Sequence, residues 1–561
     1  TADKAAPAVT APTTADKAAP AVTAPTTADK AAPAVTAPTT ADKAAPAVTA
    51  LTAPNTARLV EKDLPANNEI SGLTTFGNNL VCDAGLAKSD LIKNLSKDQI
   101  DAINQAATKY YDDPAKKPFS NAITYKDFDQ LINQFNESPK ELSVPKFNKE
   151  NIKDMPSLTT KDAESNEVSA LDMWDTWSVQ DAKTKTVANV NGFQMMFGLA
   201  GAPTLGDTHM YMLYAKYGAT HIEDWKMAGS VFGYDAVNSN QEWSGSAALN
   251  DDGSIQLFYT RVKWNSKLEA NYQELWTANI DVSVIPDNEI QIKSINNDHS
   301  LFAGDGFYYE QLDQIRGTES QHGENFALRD PNIIETDSGR YLTFEAGTGQ
   351  YRPSGKQNIT DLSIYGGDLS YNVKAMLNTV SNSDWKSLAG RSNAALGLLK
   401  LSGNQSDPDV EKLYTPRITS ILTSDEIERA NIVPLNGKYY LFAAARFDRS
   451  FLGHSPKLQP GYNVMMLGYV SDKIDGDYRP LNGNGTVLVS NIDFNDRTAT
   501  YAYYPVAVDG YSDRLLVTGY MSNRGQKTNT GYNATTAPSF IIQINADGTT
   551  AVEQTITTQN D

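Results

Sequence analysis

The chain has 561 residues, of which 40% are hydrophobic, and its formal net charge is −19 at pH 7. A chain of this length can bury a large core, and its acidic excess argues against nucleic acid or an anionic membrane surface as a partner. The single cysteine, Cys82, excludes an intramolecular disulfide and a cysteine-based zinc site. No apolar run reaches the roughly 18 residues of a membrane-spanning helix, so no membrane insertion is expected.

Residues 1–56 are dominated by four tandem copies of the unit Thr-Ala-Asp-Lys-Ala-Ala-Pro-Ala-Val-Thr-Ala-Pro-Thr. Proline recurs every few residues and no large apolar side chain is present to bury, so the region is predicted to be disordered and extended. Two interpretations remain open. The repeats are either a spacer that associates a surface protein with the cell wall or an inert low-complexity tail.

The next segment, residues 57–169, has mainly helical patterns. Ser96 and Gln99 have the spacing of a capping box, and Thr124 precedes a second helix that carries Phe128 and Phe135 on one face. These apolar faces need a surface to pack on. We therefore expect a helical layer docked on the main domain.

Residues 170–550 read as short strands separated by turns. Asn-Gly and Asp-Gly pairs between apolar runs, such as those ending at Gly253, Gly437 and Gly548, are strong hairpin signals. A single sandwich rarely grows to this size, so an all-β domain with the radial repetition of a propeller is expected, followed by a C-terminal tail at 551–561. In such a fold, side chains from distant strands meet at the axis.

Three stretches place carboxylates inside otherwise apolar sequence. Asp175 lies between Trp174 and Trp177, and the other two stretches are residues 328–332 and 425–431, where acidic residues adjoin arginines. An ionised carboxylate beside apolar rings loses hydration and needs either a partner cation or a chemical role. Three such clusters are what a glycosidase-type site requires, with one carboxylate as nucleophile and another as general acid and base.

Other chemistries find little support in the sequence. The five histidines form no metal-ligand pair, and the Gly-x-Ser-x-Gly motif of serine hydrolases is absent. Zinc hydrolysis and catalysis by a serine triad are therefore not expected.

Five motifs follow one another along the chain: Trp174-Asp175 with Trp177, residues 242–246, Arg329-Asp330-Pro331, residues 425–429, and residues 521–525. In this order they resemble the motifs of the bacterial fructansucrases of glycoside hydrolase family 68, which comprises levansucrases and inulosucrases. The resemblance covers residues 154–544, and the N-terminal helices and repeats are similar to those of members from lactic acid bacteria.

The resemblance implies a five-bladed β-propeller with an axial pocket and a retaining double displacement on sucrose. By the same match, Asp175 is the nucleophile, Glu428 the general acid and base, and Asp330 the transition-state stabiliser. Two carboxyl groups with these first two roles need to lie about 5 to 5.5 Å apart, one ionised and the other protonated.

The resemblance also implies a set of substrate-binding residues. Trp174, Trp243 and Ser244 match the wall of the fructosyl pocket, and Asn325 matches a position that holds the growing chain. The remaining members, which match positions that orient sugars or neighbouring carboxylates, are Arg329, Glu426, Arg429, Arg446 and Tyr501.

Many relatives from Gram-positive bacteria bind a structural Ca²⁺ ion, and the resemblance implies one here. Hard oxygen donors suit this ion. The matching positions are Glu324, Gln357, the backbone carbonyl of Arg391, Asn393 and Asp425, and Glu324 departs from the aspartate that relatives often have.

The resulting hypothesis is an extracellular levansucrase, secreted or associated with the cell wall, that acts as a monomer on sucrose and on fructan acceptors and makes a β-2,6-linked fructan. An inulosucrase that makes β-2,1-linked fructan and an enzyme that mainly hydrolyses sucrose remain open alternatives. An alternative from another class is a non-catalytic, carbohydrate-binding surface adhesin.

Overall fold

The computed structural model describes residues 69–113, 121–202, 208–235, 240–266, 270–315, 325–493, 496, 498–521 and 534–554. Contacts divide the chain into Thr1–Leu64 and Pro65–Asp561, and every described residue lies in the second unit. The predictions for the repeats, for Glu324, for residues 522–525 and for the end of the tail after 554 fall outside the described residues.

The α-helices of the described chain lie in two places, before the strands and between β12 (Gly339–Ala346) and β13 (Ala395–Leu401). Both predicted N-terminal caps are confirmed: Ser96 and Gln99 form a capping box, and Thr124 caps the next helix together with Asp127. Among the described residues, no helix is both long and apolar enough to span a bilayer. The α-helices are α1 Thr75–Asp83, α2 Lys97–Asp112, α3 Tyr125–Glu137, α4 Leu369–Val380 and α5 Ser383–Arg391.

The rest of the described chain is mainly strands, which confirms the predicted β-rich domain. The strands are β1 Thr159–Lys161, β2 Val168–Ala170, β3 Asp172–Gln180, β4 Phe193–Gly201, β5 His209–Lys216, β6 Lys226–Ser230, β7 Asn240–Leu249, β8 Ile255–Asn265, β9 Ala270–Ile285, β10 Glu289–Phe302, β11 Leu328–Thr336, β12 Gly339–Ala346, β13 Ala395–Leu401, β14 Val410–Leu413, β15 Ile418–Thr419, β16 Glu428–Leu435, β17 Lys438–Arg446, β18 Tyr462–Ser471, β19 Arg479–Pro480, β20 Thr486–Ile492, β21 Thr500–Ala507, β22 Arg514–Met521, β23 Thr535–Thr536, β24 Phe540–Ile544 and β25 Thr550–Val552.

Most of these strands form five antiparallel groups, numbered here in chain order. The first group is β3–β6, the second β7–β10, the third β11–β14 with β15 beside β13, the fourth β16–β19 with β20 beside β18, and the fifth β21–β25. The first and second groups are joined by parallel pairing of β3 with β7 at Val179 and Gln180. Only β1 and β2 stand apart, as a short hairpin within the segment predicted to be mainly helical.

The first strands of the five groups follow one another around a circle. β3 contacts β7, β7 contacts β11, β11 contacts β16, β16 contacts β21, and the fifth group returns to β3 through β22 and β23. The backbone N–H of Met173 also donates to the carbonyl of Ala534, just before β23 (3.0 Å). We call β3, β7, β11, β16 and β21 the inner strands.

The N-terminal helices pack on the third and fourth groups rather than forming a core of their own. Phe128 and Phe135 of α3 are fully buried, and their ring centres lie 5.5 and 5.2 Å from that of Phe447, which follows β17. Burial of one such ring stabilises the fold by roughly 2 to 3 kcal/mol. The helices therefore cover the outside of the groups whose inner strands carry Asp330 and Glu428.

Candidate active site

All five inner strands change register against the next strand of their group. The shifts fall between Met173 and Thr176 in β3, between Trp243 and Ser246 in β7, and at the corresponding points of the other three strands: Arg329 to Asn332, Glu428 to Asn431, and Tyr501 to Tyr504. A bulge breaks the alternation of side chains and re-aims one of them. The three predicted catalytic residues, Asp175, Asp330 and Glu428, lie at these bulges. Of the predicted substrate-binding residues, Asn325, Glu426 and Arg446 lie outside them.

Three residues within the bulges have left-handed backbones, although none is glycine. Their φ angles are 59° for Asp330, 56° for Arg429 and 54° for Ala502. This conformation costs of order 1 kcal/mol or more in such residues and persists where the surroundings enforce it, often at functional sites. Gly245, in the β7 bulge, has a different reason to be glycine, because a Cβ there would lie 1.9 Å from the carbonyl oxygen of Phe258.

Asp175 lies in the β3 bulge and retains some exposure, with 18% of its side chain accessible. The Ser244 hydroxyl donates a hydrogen bond to its Oδ2, and Nη1 of Arg429 lies 3.7 Å from its Oδ1. The carboxylate is thus fixed by one neutral donor and one cation while one edge remains open.

Arg429 connects three inner strands at this point. Its backbone N–H donates to Oδ2 of Asp330 (2.8 Å), and its guanidinium donates to the carbonyl oxygens of Ala502 (2.7 Å) and Thr176 (2.6 Å). Since these partners occupy the guanidinium, its place beside Asp175 is well determined.

Asp330 is buried at the β11 bulge. Burial raises the pKa of its carboxyl to about 6, the charge of Arg329 opposes the rise, and the charge of Asp175 adds to it. For Asp330, the effect of burial on the pKa therefore outweighs the charge of the adjacent Arg329.

Glu428 begins β16, and its carboxyl group contacts residues of two other inner strands. The Tyr501 hydroxyl donates to its Oε2, and Nη2 of Arg329 lies 3.4 Å from its Oε1. Burial is the main reason that the pKa of Glu428 rises to about 7, and the charge of Glu426 adds to the effect. Such a carboxyl can hold a proton near neutral pH, as a general acid must.

Glu426, two residues earlier, is also buried, but its pKa is lowered rather than raised. Burial favours its neutral form, yet the charges of Arg446, Arg449 and Arg329 together hold its pKa below the ordinary value. Arg446 pairs with it through two hydrogen bonds of 2.9 and 3.0 Å. Asn325 donates to the same carboxylate at 3.3 Å. Asn325 and Arg446, two of the predicted substrate-binding residues, therefore both contact Glu426.

The two predicted tryptophans are partly buried and lie beside these carboxylates. Trp174 packs against the apolar cluster between the first and second groups, which contains Trp177. The indole N–H of Trp243 donates to Gln241 (2.9 Å), and the Arg329 guanidinium lies 6.0 Å from the centre of the Trp243 ring.

Glu345 in β12 belongs to the site, although the sequence analysis missed it. It is fully buried and accepts hydrogen bonds from Nε of Arg329 (2.6 Å) and from the backbone N–H of Ile427 (3.0 Å). Burial drives its pKa upward and Arg329 opposes this. A single carboxylate near the end of an apolar strand was the available signal, but only the fold shows that it faces Arg329.

Replacing Glu345 by alanine is expected to lower the free energy of unfolding by about 3 to 5 kcal/mol, because it leaves the buried Arg329 without its main partner. Denaturant unfolding of the purified variant measures this change. The matched control is Glu411→Ala, which removes an exposed partner of Lys400 and should change stability by about 1 kcal/mol or less. Equal losses in the two variants would contradict the importance of the buried pair.

The residues matched to calcium lie near one another but do not form an open cage. Oδ1 of Asn393 accepts from the N–H and hydroxyl of Thr348 (3.0 and 2.9 Å), and the carboxylate of Asp425 accepts from Arg449 (3.1 and 3.0 Å). Gln357 is exposed. Burial raises the pKa of Asp425, and the positive charge of Arg391 opposes that rise. In the described residues, no group of three or more His, Cys, Asp or Glu side chains is placed to hold a metal ion.

Comparison with known proteins matches residues 113–559 to the family model described as Levansucrase/Invertase, glycoside hydrolase family 68. The chain is 41% identical over 496 residues to a levansucrase of Streptococcus mutans, a match that covers 87% of this chain and 61% of that protein. It is 43% identical over 472 residues to an inulosucrase of Lactobacillus johnsonii, covering 83% and 58%. It thus spans about 60% of the length of these relatives.

The fold is similar to solved structures as well. A crystal structure of a B. megaterium levansucrase variant superposes with a TM-score of 0.71 at 33% identity, covering 79% of this chain and 98% of that one. The structure of Bacillus subtilis levansucrase gives 0.69 at 34% identity, covering 80% and 99%.

Proposed function

The chain belongs to glycoside hydrolase family 68, and from this premise we propose that it is a sucrose-dependent fructosyltransferase of the levansucrase type. The observation that carries the proposal is the pairing of unlike carboxyl groups at the inner-strand bulges. Asp175 is held by Ser244 and Arg429, whereas the pKa of Glu428 is raised to about 7, mainly by burial. Retaining glycosidases require one carboxylate nucleophile and one protonated acid.

In the first step, a carboxylate oxygen of Asp175 attacks the anomeric carbon of the fructosyl unit. The bond from that carbon to the bridging oxygen breaks, and Glu428 gives its proton to this oxygen so that glucose leaves. The product is a fructosyl ester of Asp175. The Tyr501 hydroxyl, which donates to Glu428, keeps the acid aimed into the site.

In the second step, Glu428 acts as a base and removes the proton of an acceptor hydroxyl, which attacks the same carbon while the Asp175 carboxylate departs. The configuration is therefore retained. Asp330, fixed by the Arg429 N–H, stabilises the positive charge that develops on the sugar ring and binds fructosyl hydroxyls. With water as the acceptor the result is hydrolysis, and with a fructan hydroxyl it is chain growth.

The architecture that presents these groups is proposed to be a five-bladed β-propeller, each strand group being one blade. The circular order of the inner strands and the return of the fifth group to β3 support it. In that geometry the inner-strand bulges surround one axial pocket, which explains why residues more than 250 positions apart, such as Thr176 and Arg429, are hydrogen-bonded.

The function is tested by incubating the purified protein with sucrose and measuring free glucose and free fructose. Glucose in excess of fructose demonstrates transfer, and carbon NMR of the polymer distinguishes β-2,6 from β-2,1 linkage, hence levansucrase from inulosucrase. Equal release would reduce the activity to sucrose hydrolysis. No release would favour the remaining alternative, a carbohydrate-binding adhesin.

We further propose that the protein works outside the cell as a monomer, with the repeats associating it with the cell wall. The acidic charge, the single cysteine and the repeat composition are compatible with this location. Immunoblots of culture supernatant and wall fractions, with and without residues 1–56, test the association, and light scattering of the pure protein tests the monomer.

A structural calcium ion is proposed at Gln357, Asn393, Asp425 and the Arg391 carbonyl, because these oxygens are of the kind that calcium prefers. The ion would supply a fixed charge beside the strand that carries Glu426 and Glu428, and no chemical step involves it. Asp425 is paired with Arg449 in the present arrangement, so binding requires that carboxylate to turn from the guanidinium to the ion.

Addition of millimolar calcium to chelator-treated protein is expected to raise the melting temperature by about 1 to 2 °C, the effect of about 1 to 2 kcal/mol of binding on a folded unit of this size. Differential scanning calorimetry measures the shift, magnesium is the control ion, and Asp425→Asn is the control variant that should lose the response. A melting temperature insensitive to both calcium and chelator would mean that Arg449 alone neutralises Asp425.

A further inference from the structure

Lys185 is a fully buried cationic residue that the proposed chemistry does not use. It lies in the turn between β3 and β4 with a left-handed φ of 62° and no solvent-exposed surface. Its Nζ donates hydrogen bonds to Oδ1 of Asn332 and to the carbonyl of Ile333, both at 2.7 Å. Burial lowers the pKa of this amine to about 7. A buried amine without a carboxylate partner is unfavourable unless its donors are used, and here they hold β11.

The turn that carries Lys185 is itself fixed to its surroundings. The backbone N–H of Lys185 donates to Asp181 (2.9 Å), and its carbonyl accepts from the N–H of Ala507 at the end of β21 (3.3 Å). The amine therefore has a defined position relative to the first, third and fifth strand groups.

A continuous set of contacts leads from this amine to the nucleophile. While Oδ1 of Asn332 accepts from Lys185, its Nδ2 donates to the hydroxyl of Tyr504 (2.8 Å), so both ends of the amide are fixed. The ring of Tyr504 lies under the Arg429 guanidinium, with 4.7 Å between the guanidinium carbon and the ring centre. That guanidinium lies 3.7 Å from Asp175.

Each link restricts the next one. The hydroxyl of Tyr504 is located by Asn332, the plane of its ring determines where the guanidinium can rest through cation–π attraction, and the guanidinium sets the field at Asp175. The contacts cross from the first group to the third, fifth and fourth groups and return to β3. No other fully buried lysine occurs in the part of the chain that the structure describes.

We propose that Lys185 is a positioning residue for fructosyl transfer, which acts through Asn332 and Tyr504 to hold the Arg429 guanidinium against Asp175. The inference rests on the proposed function. It predicts that loss of the Lys185 amine slows the chemical step without weakening sucrose binding, because the two residues it acts through, Asn332 and Tyr504, are buried and lie outside the set matched to sugar binding.

The test is a double-mutant cycle with Lys185→Met and Tyr504→Phe. The first keeps the length of the side chain but removes the amine, and the second keeps the ring but removes the hydroxyl. The matched control is Tyr478→Phe, which removes another buried tyrosine hydroxyl, one that donates to Ile474. For each protein, kcat per folded molecule, KM for sucrose and the melting temperature are measured.

We expect each single variant to lower kcat about tenfold with KM within about twofold, and the double variant to lose about tenfold rather than a hundredfold, because both substitutions break one chain of contacts. Tyr478→Phe should keep the wild-type kcat. A lower melting temperature with unchanged kcat in Lys185→Met, or losses that multiply in the double variant, would overturn the proposal.

Two further outcomes are decisive. If Lys185→Met does not fold, Tyr504→Phe alone tests the same contacts, and an unchanged kcat there overturns the inference. If the wild-type protein releases no glucose from sucrose, the proposed function fails and the inference falls with it, a result that the wild-type measurement reveals before any variant is compared.

Discussion

Asp175→Ala is expected to lower kcat for sucrose by about 10⁴-fold, because without this carboxylate no fructosyl ester can form and attack by water must replace both steps. The folded structure should persist, since Asp175 is partly exposed and the Arg429 guanidinium keeps its hydrogen bonds to the carbonyls of Ala502 and Thr176. Initial rates of glucose release at saturating sucrose measure the loss, and the melting temperature verifies folding.

Asp547→Asn serves as the control for this substitution, because Asp547 lies in the exposed turn before β25 and accepts hydrogen bonds from Thr549 of the same turn. Its kcat should equal that of the wild type. If Asp175→Ala retained even a tenth of the wild-type rate while folded, Asp175 would not be the nucleophile.

Glu428→Gln is expected to lower kcat/KM about a thousandfold, because the amide cannot protonate the departing glucose. The wild-type enzyme should also lose activity as the pH rises through about 7. Burial, with the charge of Glu426, raises the pKa of Glu428 to about 7, so the protonated acid predominates below that pH and disappears above it. In the variant the residual rate should not fall in this range, which pH profiles of both proteins will show.

The comparison for Glu428→Gln is Glu411→Gln, an exposed glutamate on β14 that should leave both the rate and the profile unchanged. A variant of Glu428 that kept the alkaline fall of the wild type would assign that ionisation to another group. Glu345, whose pKa is also raised by burial, would then be the first candidate for it.

Much of the site could be predicted from the sequence because its residues lie in local motifs. Asp175 between two tryptophans and Glu426 and Glu428 beside Arg429 are recognisable without a structure, and the capping residues Ser96 and Thr124 predict where helices begin. Hairpin turns likewise indicated a β-rich domain, since turn chemistry is local.

What the sequence could not reveal depends on contacts between distant segments. Glu345 looks like any charge at the end of a strand until Arg329 is seen 2.6 Å away. Lys185 looks like a polar turn residue, and only the fold buries it against Asn332. Helices α4 and α5, between β12 and β13, were also not predicted, although Asp368 and Asn382 cap them. They lie within residues 170–550, which were predicted as strands because strand patterns precede and follow them.

The most direct test of the central claim is mass spectrometry of the protein quenched in acid during turnover of sucrose, followed by digestion. The mechanism predicts one added fructosyl unit on the peptide that contains Asp175, absent from the Asp175→Ala variant and enriched in Glu428→Gln supplied with a fructoside whose leaving group needs no proton. A fructosyl unit on a different carboxylate, or the absence of any adduct while glucose accumulates, would contradict a double displacement at Asp175.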